Sequence, residues 1–567
     1  MVPTVNVTGG WETVMEGPAR EKLERTVLPE FLRAQRWFGG KGRRIETVRF
    51  VDWGGLPPAE NRVFALLLEV RFVDGKSDLY FLPLGISSDD SAARMQQTRQ
   101  PWLIARLTGV EGEALLHDAL ADDDTCMSLM EAIGTQREFA LRHGRIRPFP
   151  TTEFPSLVGD EGQKMSVSRG PAKSSNTLII YGQSLLLKLF RHPESGVNPE
   201  FEIGRFLTEG RLFQRIPRVG GAIEYHRPDS EPFMLAILES FVVNQSDGWH
   251  HALDQLGHYF ERASNPDAAP PNRRSLLELA ASAPPPAVEK AIGGYLDAAA
   301  TLGRRTAEMH HALSADPSNP DFNPEPFTPQ DAAALHDSIR ARGENALAAL
   351  RDNLEQLPQD TISSARQLLD MGERAALAGW WGVYQPVNAG RSPSWKIRCH
   401  GDYHLGQVLR VADDYVIIDF EGEPMRTVAE RRAKQSPLKD VAGMLRSYHT
   451  AAYAGLFALS HDQPETFARL RPWAELWFEC VSAAFLREYR AAAREQAIVP
   501  GDDAVFAELL DAFMLEKNFY ELQYELNNRP DWVRIPLRGI LTLLENASPL
   551  ARSASDGQRL PVACAPG

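Results

Sequence analysis

Apolar and polar positions follow three successive regimes along the chain. The stretch EKLERTVLPEFLRAQRWFGGK, from Glu21 to Lys41, spaces leucine, valine and phenylalanine as one helix face. It predicts a helix ending at Gly39-Gly40, where glycine takes a left-handed cap without steric cost. Two β-rich runs follow, RVFALLLEVRF and SDLYFLPL, on either side of Val73-Asp74-Gly75-Lys76. Asp-Gly between such runs predicts a hairpin, because the tight turn needs positive φ. Residues 1–20 show no period and are expected to be a flexible leader, so a first α+β unit is expected over residues 21–157.

A second β-rich region is expected over 158–243, with strands in KMSVSRG, TLIIYG, SLLLKLFRH and FMLAILESFVV and a tight turn at Gly182-Gln183. Inside it, NPEFEIGRFLTEG sets Phe201, Phe206 and Leu207 at helical spacing and stops at Gly210, which predicts one inserted helix. From 244 to 547 the chain turns Ala-rich and helical, broken by Pro-rich connections between about 264 and 330. Thr328-Pro329 with Asp331 is a helix start, since proline fits the first turn and threonine caps free amides. Ser436-Pro437 repeats the device, and residues 548–567 are expected to be a flexible tail.

Composition narrows the function. Of 567 residues, 43% are hydrophobic and 24% charged, the usage of an ordinary globular protein. A net charge of −14 lacks the basic footprint of a nucleic-acid binder or of a protein held on an anionic membrane. Four scattered cysteines make no disulfide framework and no Cys-x-x-Cys pair, which points to a reducing, cytoplasmic setting. No membrane span or signal segment is expected.

The chemistry concentrates in Cys399-His400-Gly401-Asp402-Tyr403-His404-Leu405-Gly406-Gln407 and the following VLRVADDYVIIDFEGEP. This reads as loop, strand, a turn at Asp413-Asp414, strand, loop. Asp402 then stands before a hairpin and Asp419 after it, so two carboxylates and the Gln407 amide converge at one end of two short strands. Convergent hard oxygens suit Mg²⁺, and a carboxylate beside them can orient a hydroxyl and take its proton.

His400-Gly401-Asp402 with Gln407, and Asp419-Phe420-Glu421, resemble the His-x-Asp-x-x-x-x-Asn and Asp-Phe-Gly elements of protein-kinase-like enzymes. Glutamine for asparagine and glutamate for glycine are departures; the second adds Glu421 as a further metal ligand. Together with QRWFGGKGR at 35–43 and the C-terminal LEKNFYELQYELNNRPDW, these motifs resemble bacterial maltokinases, a family of aminoglycoside-phosphotransferase-like kinases, from about residue 21 to 547.

The resemblance implies a bilobal α+β kinase fold with an N-terminal cap and a mostly helical C-lobe. It implies that Lys188 binds ATP phosphates, with Glu202 on the inserted helix as its expected partner and Glu200 the neighbouring alternative. It assigns Ser174, Ser175 and Asn176 to a loop over the phosphates, and Glu239 and Phe241 to a hinge beside adenine. Asp402 becomes the base, Gln407, Asp419 and Glu421 the Mg²⁺ ligands, and Asp440 a brace under the loop or a simple helix N-terminal charge. Lys517, Tyr520 and Tyr524 stand at i, i+3 and i+7, one helix face for sugar hydroxyls, with His400 also near the sugar.

The implied reaction is phosphoryl transfer from ATP to the anomeric hydroxyl of maltose, giving maltose 1-phosphate for α-glucan synthesis, with trehalose synthase as a fused or associated partner. The competing readings are a same-fold kinase for another sugar such as glucosamine, and a non-catalytic module that scaffolds trehalose synthase.

Overall fold

The computed structural model describes residues 2–159, 165–171, 175–263, 276–378, 393–460, 463–494 and 497–547. Two compact units emerge, one of residues 1–243 with 425–431, the other of 244–424 with 432–567.

The first unit holds two seven-stranded sheets. One is built from β1 (Thr4–Asn6), β2 (Ile45–Gly55), β3 (Val63–Phe72), β4 (Ser77–Phe81), β5 (Leu84–Ser88), β6 (Leu103–Gly109) and β7 (Gly112–Asp118), in the order β1-β6-β7-β5-β3-β2 with β4 also on β3. The hairpin at Asp74-Gly75 joins β3 to β4 in antiparallel register, and Gly75 has φ +81°. Its helices are α1 (Gly17–Lys22), α2 (Leu28–Ala34), α3 (Asp89–Thr98) and α4 (Asp123–Thr135).

Two expectations are corrected here. Residues 4–20 are no loose leader: β1 pairs in parallel with β6, and Val5, Val7, Trp11, Val14 and Met15 are buried in the core of this sheet. The helical stretch runs from Gly17 to Ala34 through one π turn and ends before Gln35, short of Gly39-Gly40. Burial explains the early stop. Trp37 and Phe38 leave the helix to pack in tilted contact with Tyr80, at 6.1 and 5.1 Å between ring centroids.

The second sheet comprises β8 (Phe139–Ala140), β9 (Arg145–Pro150), β10 (Val167–Arg169), β11 (Thr177–Tyr181), β12 (Leu185–Leu189), β13 (Val219–His226) and β14 (Phe233–Ser240), ordered β10-β11-β12-β14-β13-β9-β8. It therefore begins at Phe139, inside the range expected for the first unit's own sheet. Strand β13 escaped the hydrophobic pattern because Gly220 and Gly221 interrupt it. A Cβ on Gly221 would lie 2.4 Å from Ile133 Cγ2 and 2.7 Å from Phe149 O, so only glycine fits where the strand is pressed between its neighbours. Short α5 (Phe154–Val158) follows β9, and α6 (Pro199–Glu209) is the inserted helix, capped by Asn198 through the Phe201 amide at 3.0 Å.

The second unit is mainly helical: α7 (Gly248–Ala263), α8 (Leu276–Ala280), α9 (Pro286–Ile292), α10 (Tyr295–Ala312), α11 (Pro329–Asp352), α12 (Gln359–Ala378), α13 (Val428–Arg432, whose residues 428–431 belong to the first unit), α14 (Leu438–Ser460), α15 (Pro464–Arg494), α16 (Asp503–Asn528) and α17 (Arg534–Ala547). Thr328 and Asp331 cap α11 reciprocally. Its strands are β15 (Ser246–Asp247), β16 (Glu325–Pro326), β17 (Trp395–Lys396), β18 (Val408–Val411) and β19 (Asp414–Ile417). Among the described residues no helix is long and apolar enough to cross a membrane.

Candidate active site

In the first unit Lys188 lies in β12, an inner strand paired with β11 and β14. Its ammonium is buried and donates to both oxygens of Glu200, at 2.8 and 3.0 Å. The expected partner, Glu202, is thus displaced by its neighbour, and helix phase gives the reason. Glu200, Ile203, Gly204 and Leu207 form the inward face of α6, whereas two residues further on the helix has turned by about 200°. Glu202 is half-buried.

Ser174 lies outside the described residues; Ser175 and Asn176 lead directly into β11. Glu239 ends in β14 opposite Leu186 of β12, and the Phe241 amide donates to Ser184 O at 2.8 Å.

In the second unit β18 and β19 form a hairpin whose two-residue turn is Ala412-Asp413, with Ala412 at φ +52°. The turn is thus one residue earlier than the sequence indicated. Asp414 is drawn into the strand by Arg305 of α10, whose Nε and guanidinium tip reach the two carboxylate oxygens at 2.9 and 2.7 Å. At the open end of the hairpin Gln407 Nε2 donates to Asp419 Oδ2 at 2.7 Å. Asp419 has φ +69°, a conformation that aspartate tolerates better than most residues and that occurs where a loop is held for function. Asp419 and Glu421 each place a carboxylate oxygen within 4.8 Å of the other. Two carboxylates and an amide whose oxygen is available on rotation are hard donors that fit Mg²⁺.

The loop before the hairpin is held from beneath. Asp440, buried at the start of α14, accepts from the amides of His400 at 2.8 Å and Gly401 at 3.0 Å, and its Oδ2 lies 3.2 Å from His310 Nε2. Burial alone would raise this carboxyl, but the His310 bond and field, with the Gly401 amide, outweigh it and hold it below the usual range. Gly401, at φ +88°, lets the loop pass close to the segment after Asp419: a Cβ there would lie 3.1 Å from Gly422 Cα.

His400 is corrected. Its ring is buried against Tyr403 and Phe420, and Nε2 lies 2.9 Å from Ile418 O. It ties the His400-Gly401-Asp402 loop to the Asp419 segment, and with 1% of the residue exposed it offers no face to a sugar.

Asp402 meets Lys517. The ammonium, on α16, is 3.1 Å from Asp402 Oδ1 and 3.2 Å from Glu423 Oε1. Burial opposes its charge, yet Asp402, Glu423 and Glu521 together hold Lys517 well above the ordinary lysine range. Lys517 also lies 4.9 Å from the centre of the half-buried Tyr520 ring, while Tyr524, one turn further, is 48% exposed. Two residues had been missed. Glu423 belongs to the same run as Glu421 but was not distinguished from it. His404 follows Asp402 by two positions: its Nδ1 accepts from the Gly406 amide at 3.0 Å, so the neutral ring carries its proton on Nε2, 3.8 Å from Asp402 Oδ2.

A lysine paired with a helix glutamate on a five-residue inner strand, together with a braced His-Gly-Asp loop and a hairpin ending in Asp-Phe-Glu, is the architecture of a kinase. Comparison with known proteins agrees at the level of fold. A solved glucosamine kinase in complex with glucosamine, ADP and inorganic phosphate aligns at TM-score 0.56 with 20% identity, over 91% of this chain and 98% of that one. A second crystal form of glucosamine kinase gives 0.57 over 89% and 96%. The family model for the maltokinase N-terminal cap domain matches residues 31–122. Among curated proteins, glucosamine kinase of Streptacidiphilus jiangxiensis is 26% identical over 375 residues, 65% of this chain and 72% of that protein. Glucosamine kinase of Mycolicibacterium smegmatis is 25% identical over 380 residues, 66% of this chain and 78% of that protein. The chain has a kinase fold with a cap similar to that of maltokinases.

Proposed function

We propose that this protein is an ATP-dependent sugar kinase whose acceptor is maltose, phosphorylated at its anomeric hydroxyl to give maltose 1-phosphate and ADP. The observation that carries the neutral acceptor is the charge balance around α16. Lys517 sits between Asp402 and Glu423, and the other acidic side chains of the helix near it have cations of their own. Glu521 accepts from Arg446 at 2.7 Å, Glu516 lies 3.2 Å from Arg342, and Glu525 accepts from Arg529 at 2.6 Å. An amino sugar brings an ammonium that needs a carboxylate, and here that place is taken by a lysine. The match of the cap to the maltokinase cap model supports the same reading.

In this mechanism Asp402 orients the sugar hydroxyl and accepts its proton as the oxygen bonds to the γ-phosphorus and the bond to the β,γ-bridging oxygen breaks. Lys517 fixes the Asp402 carboxylate in one direction. Lys188, oriented by Glu200, holds the nucleotide phosphates, with Ser174, Ser175 and Asn176 nearby in sequence and the backbone at Glu239 and Phe241 serving adenine. Asp419, Glu421 and the Gln407 amide oxygen would hold Mg²⁺, which neutralises phosphate charge when bound. Tyr520 and Tyr524 offer hydroxyls and ring faces to the sugar. A cytoplasmic kinase of this kind would supply α-glucan synthesis from trehalose, with trehalose synthase as partner; that placement rests on the motif resemblance.

Glucosamine is the second acceptor to consider, because the relatives carry that name. ADP release with ATP and Mg²⁺ across maltose, glucose, glucosamine, trehalose, an aminoglycoside and no acceptor, with mass spectrometry of the product, decides between them. Maltose-dependent turnover to a non-reducing phosphate is expected. Turnover with glucosamine alone discards the acceptor but keeps the kinase, and silence throughout with ATP still bound favours the scaffold reading.

A further inference from the structure

A single turn of the cap grips the nucleotide half of the first unit at two points. The turn runs from Asp118, at the end of β7, through the 3-10 residues Ala119–Ala121 to Asp123, at the start of α4. Arg169, the last residue of β10, inserts its guanidinium there. Nε and Nη2 donate to Leu120 O at 2.9 and 2.7 Å, Nη1 pairs with Asp123, and the side chain is only 8% exposed.

The second grip is Arg191, two residues beyond β12 and fully buried. Its Nη2 donates to Asp118 Oδ2 at 2.5 Å and its Nε to Thr177 Oγ1 at 2.8 Å, while its guanidinium lies 4.9 Å from the centre of the Trp37 ring. Thr177 opens β11. Arg169 and Thr177 flank residues 170–176; Arg169 is bonded to the cap turn directly, and Thr177 is linked to it through Arg191. Lys188 is tied into the same frame. It pairs with Leu178, whose carbonyl accepts from the Gly170 amide at 2.9 Å. A displacement of the turn would therefore move β10, β11 and the Lys188 strand together.

We propose that Asp118, Asp123, Arg169 and Arg191 are positioning residues for the nucleotide: the cap holds the strands that present Lys188, Gly170 and Thr177 in the geometry that binds phosphate. This rests on the reading of Lys188 as the nucleotide lysine. The cap is then part of the ATP site without touching ATP, and Trp37 of the cap motif packs on the same arginine that orders Thr177.

The test uses the full-length protein, with ADP and Mg²⁺ as the calorimetric probe and maltose in the turnover assay. Arg169→Gln removes the charged bonds and is expected to weaken ADP binding about tenfold, the worth of one charged hydrogen bond, while the maltose KM stays unchanged. Asp123→Ala, at an exposed carboxylate, is expected to cost about threefold with no change in thermal unfolding, which keeps the test intact if Arg169→Gln folds poorly. Arg169→Lys should recover part of the loss. ADP affinity within twofold of wild type in both Arg169→Gln and Asp123→Ala, or equal weakening of ADP and maltose, overturns the clamp. Lys188→Ala separates the two failures. If it abolishes ADP binding while the clamp variants do nothing, only the clamp falls; if it too leaves ADP binding intact, the assignment of the nucleotide site falls and takes the clamp with it.

Discussion

Lys517 Nζ lies 3.1 Å from Asp402 Oδ1, across 115 residues of sequence, and shares its charge with Glu423 at 3.2 Å. As the proposed base, Asp402 is fixed in direction by that ammonium. Asp402→Asn keeps the shape of the side chain but removes its charge and basicity, so the variant is expected to fold normally and lose about 10³-fold in turnover. Near-native turnover with an unchanged circular dichroism spectrum would remove Asp402 from the chemistry.

Lys517→Ala is expected to raise the sugar KM more than the ATP KM, because the ammonium stands on the α16 face beside Tyr520. Steady-state kinetics with each substrate varied in turn reads this directly. An equal rise in both values would make Lys517 a support for Asp402 alone.

The two glutamates of α6 are distinguished in the same way. Glu200 takes both hydrogen bonds from the buried Lys188 ammonium, so Glu200→Gln weakens the anchor of a charge that has left water. We expect ATP KM to rise about tenfold or more in Glu200→Gln and by a smaller factor in Glu202→Gln, with the sugar KM unchanged in both. A larger effect at Glu202 would reverse the assignment.

These residues also show what could be read from the chain alone. The Asp74-Gly75 hairpin was legible because its turn chemistry is local, and so was the cap of α11 at Thr328 and Asp331. The meeting of Gln407 with Asp419 followed from a hairpin short enough to close one way. By contrast, the choice of Glu200 over Glu202 depends on where α6 meets its sheet, which fixes helix phase only in three dimensions. Strand β13 was hidden because close packing demanded glycines where a strand pattern wants β-branched residues. The first 20 residues read as loose because β1 is three residues long and finds its partner, β6, about a hundred residues away. His400 looked available to substrate because its burial comes from Tyr403 and Phe420, whose rings lie tilted against it at 5.2 and 4.8 Å between centroids, and a motif carries no burial.

The cap also carries a pH dependence. His117 is 2% exposed; its Nδ1 lies 2.9 Å from Asp118 O and its Nε2 3.0 Å from Ser87 Oγ, a pair of bonds that the neutral ring satisfies as donor and acceptor. Burial lowers its pKa below the ordinary 6.5. The unfolded chain therefore takes up this proton first as pH falls, and the contribution of His117 to stability is complete above about pH 6.5 and lost progressively below it. Urea unfolding at pH 7.5 and 5.5 should show wild type losing more stability on acidification than His117→Gln. Equal losses would show that His117 titrates alike in both states.

The Asp118–Arg191 pair gives the sharpest stability test, since both side chains are shut off from water. Asp118→Ala leaves a guanidinium buried without its carboxylate, and such a break costs about 3–5 kcal/mol. Removing both charges avoids that penalty. The double variant Asp118→Ala with Arg191→Met is therefore expected to unfold at a midpoint well above that of the single variant, because the methionine still fills space beside Trp37. Its nucleotide affinity should remain weak, since Thr177 has lost its donor. Recovery of stability without recovery of ADP binding would separate what this pair does for the fold from what it does for the site; recovery of both would leave Arg191 as packing and charge balance only.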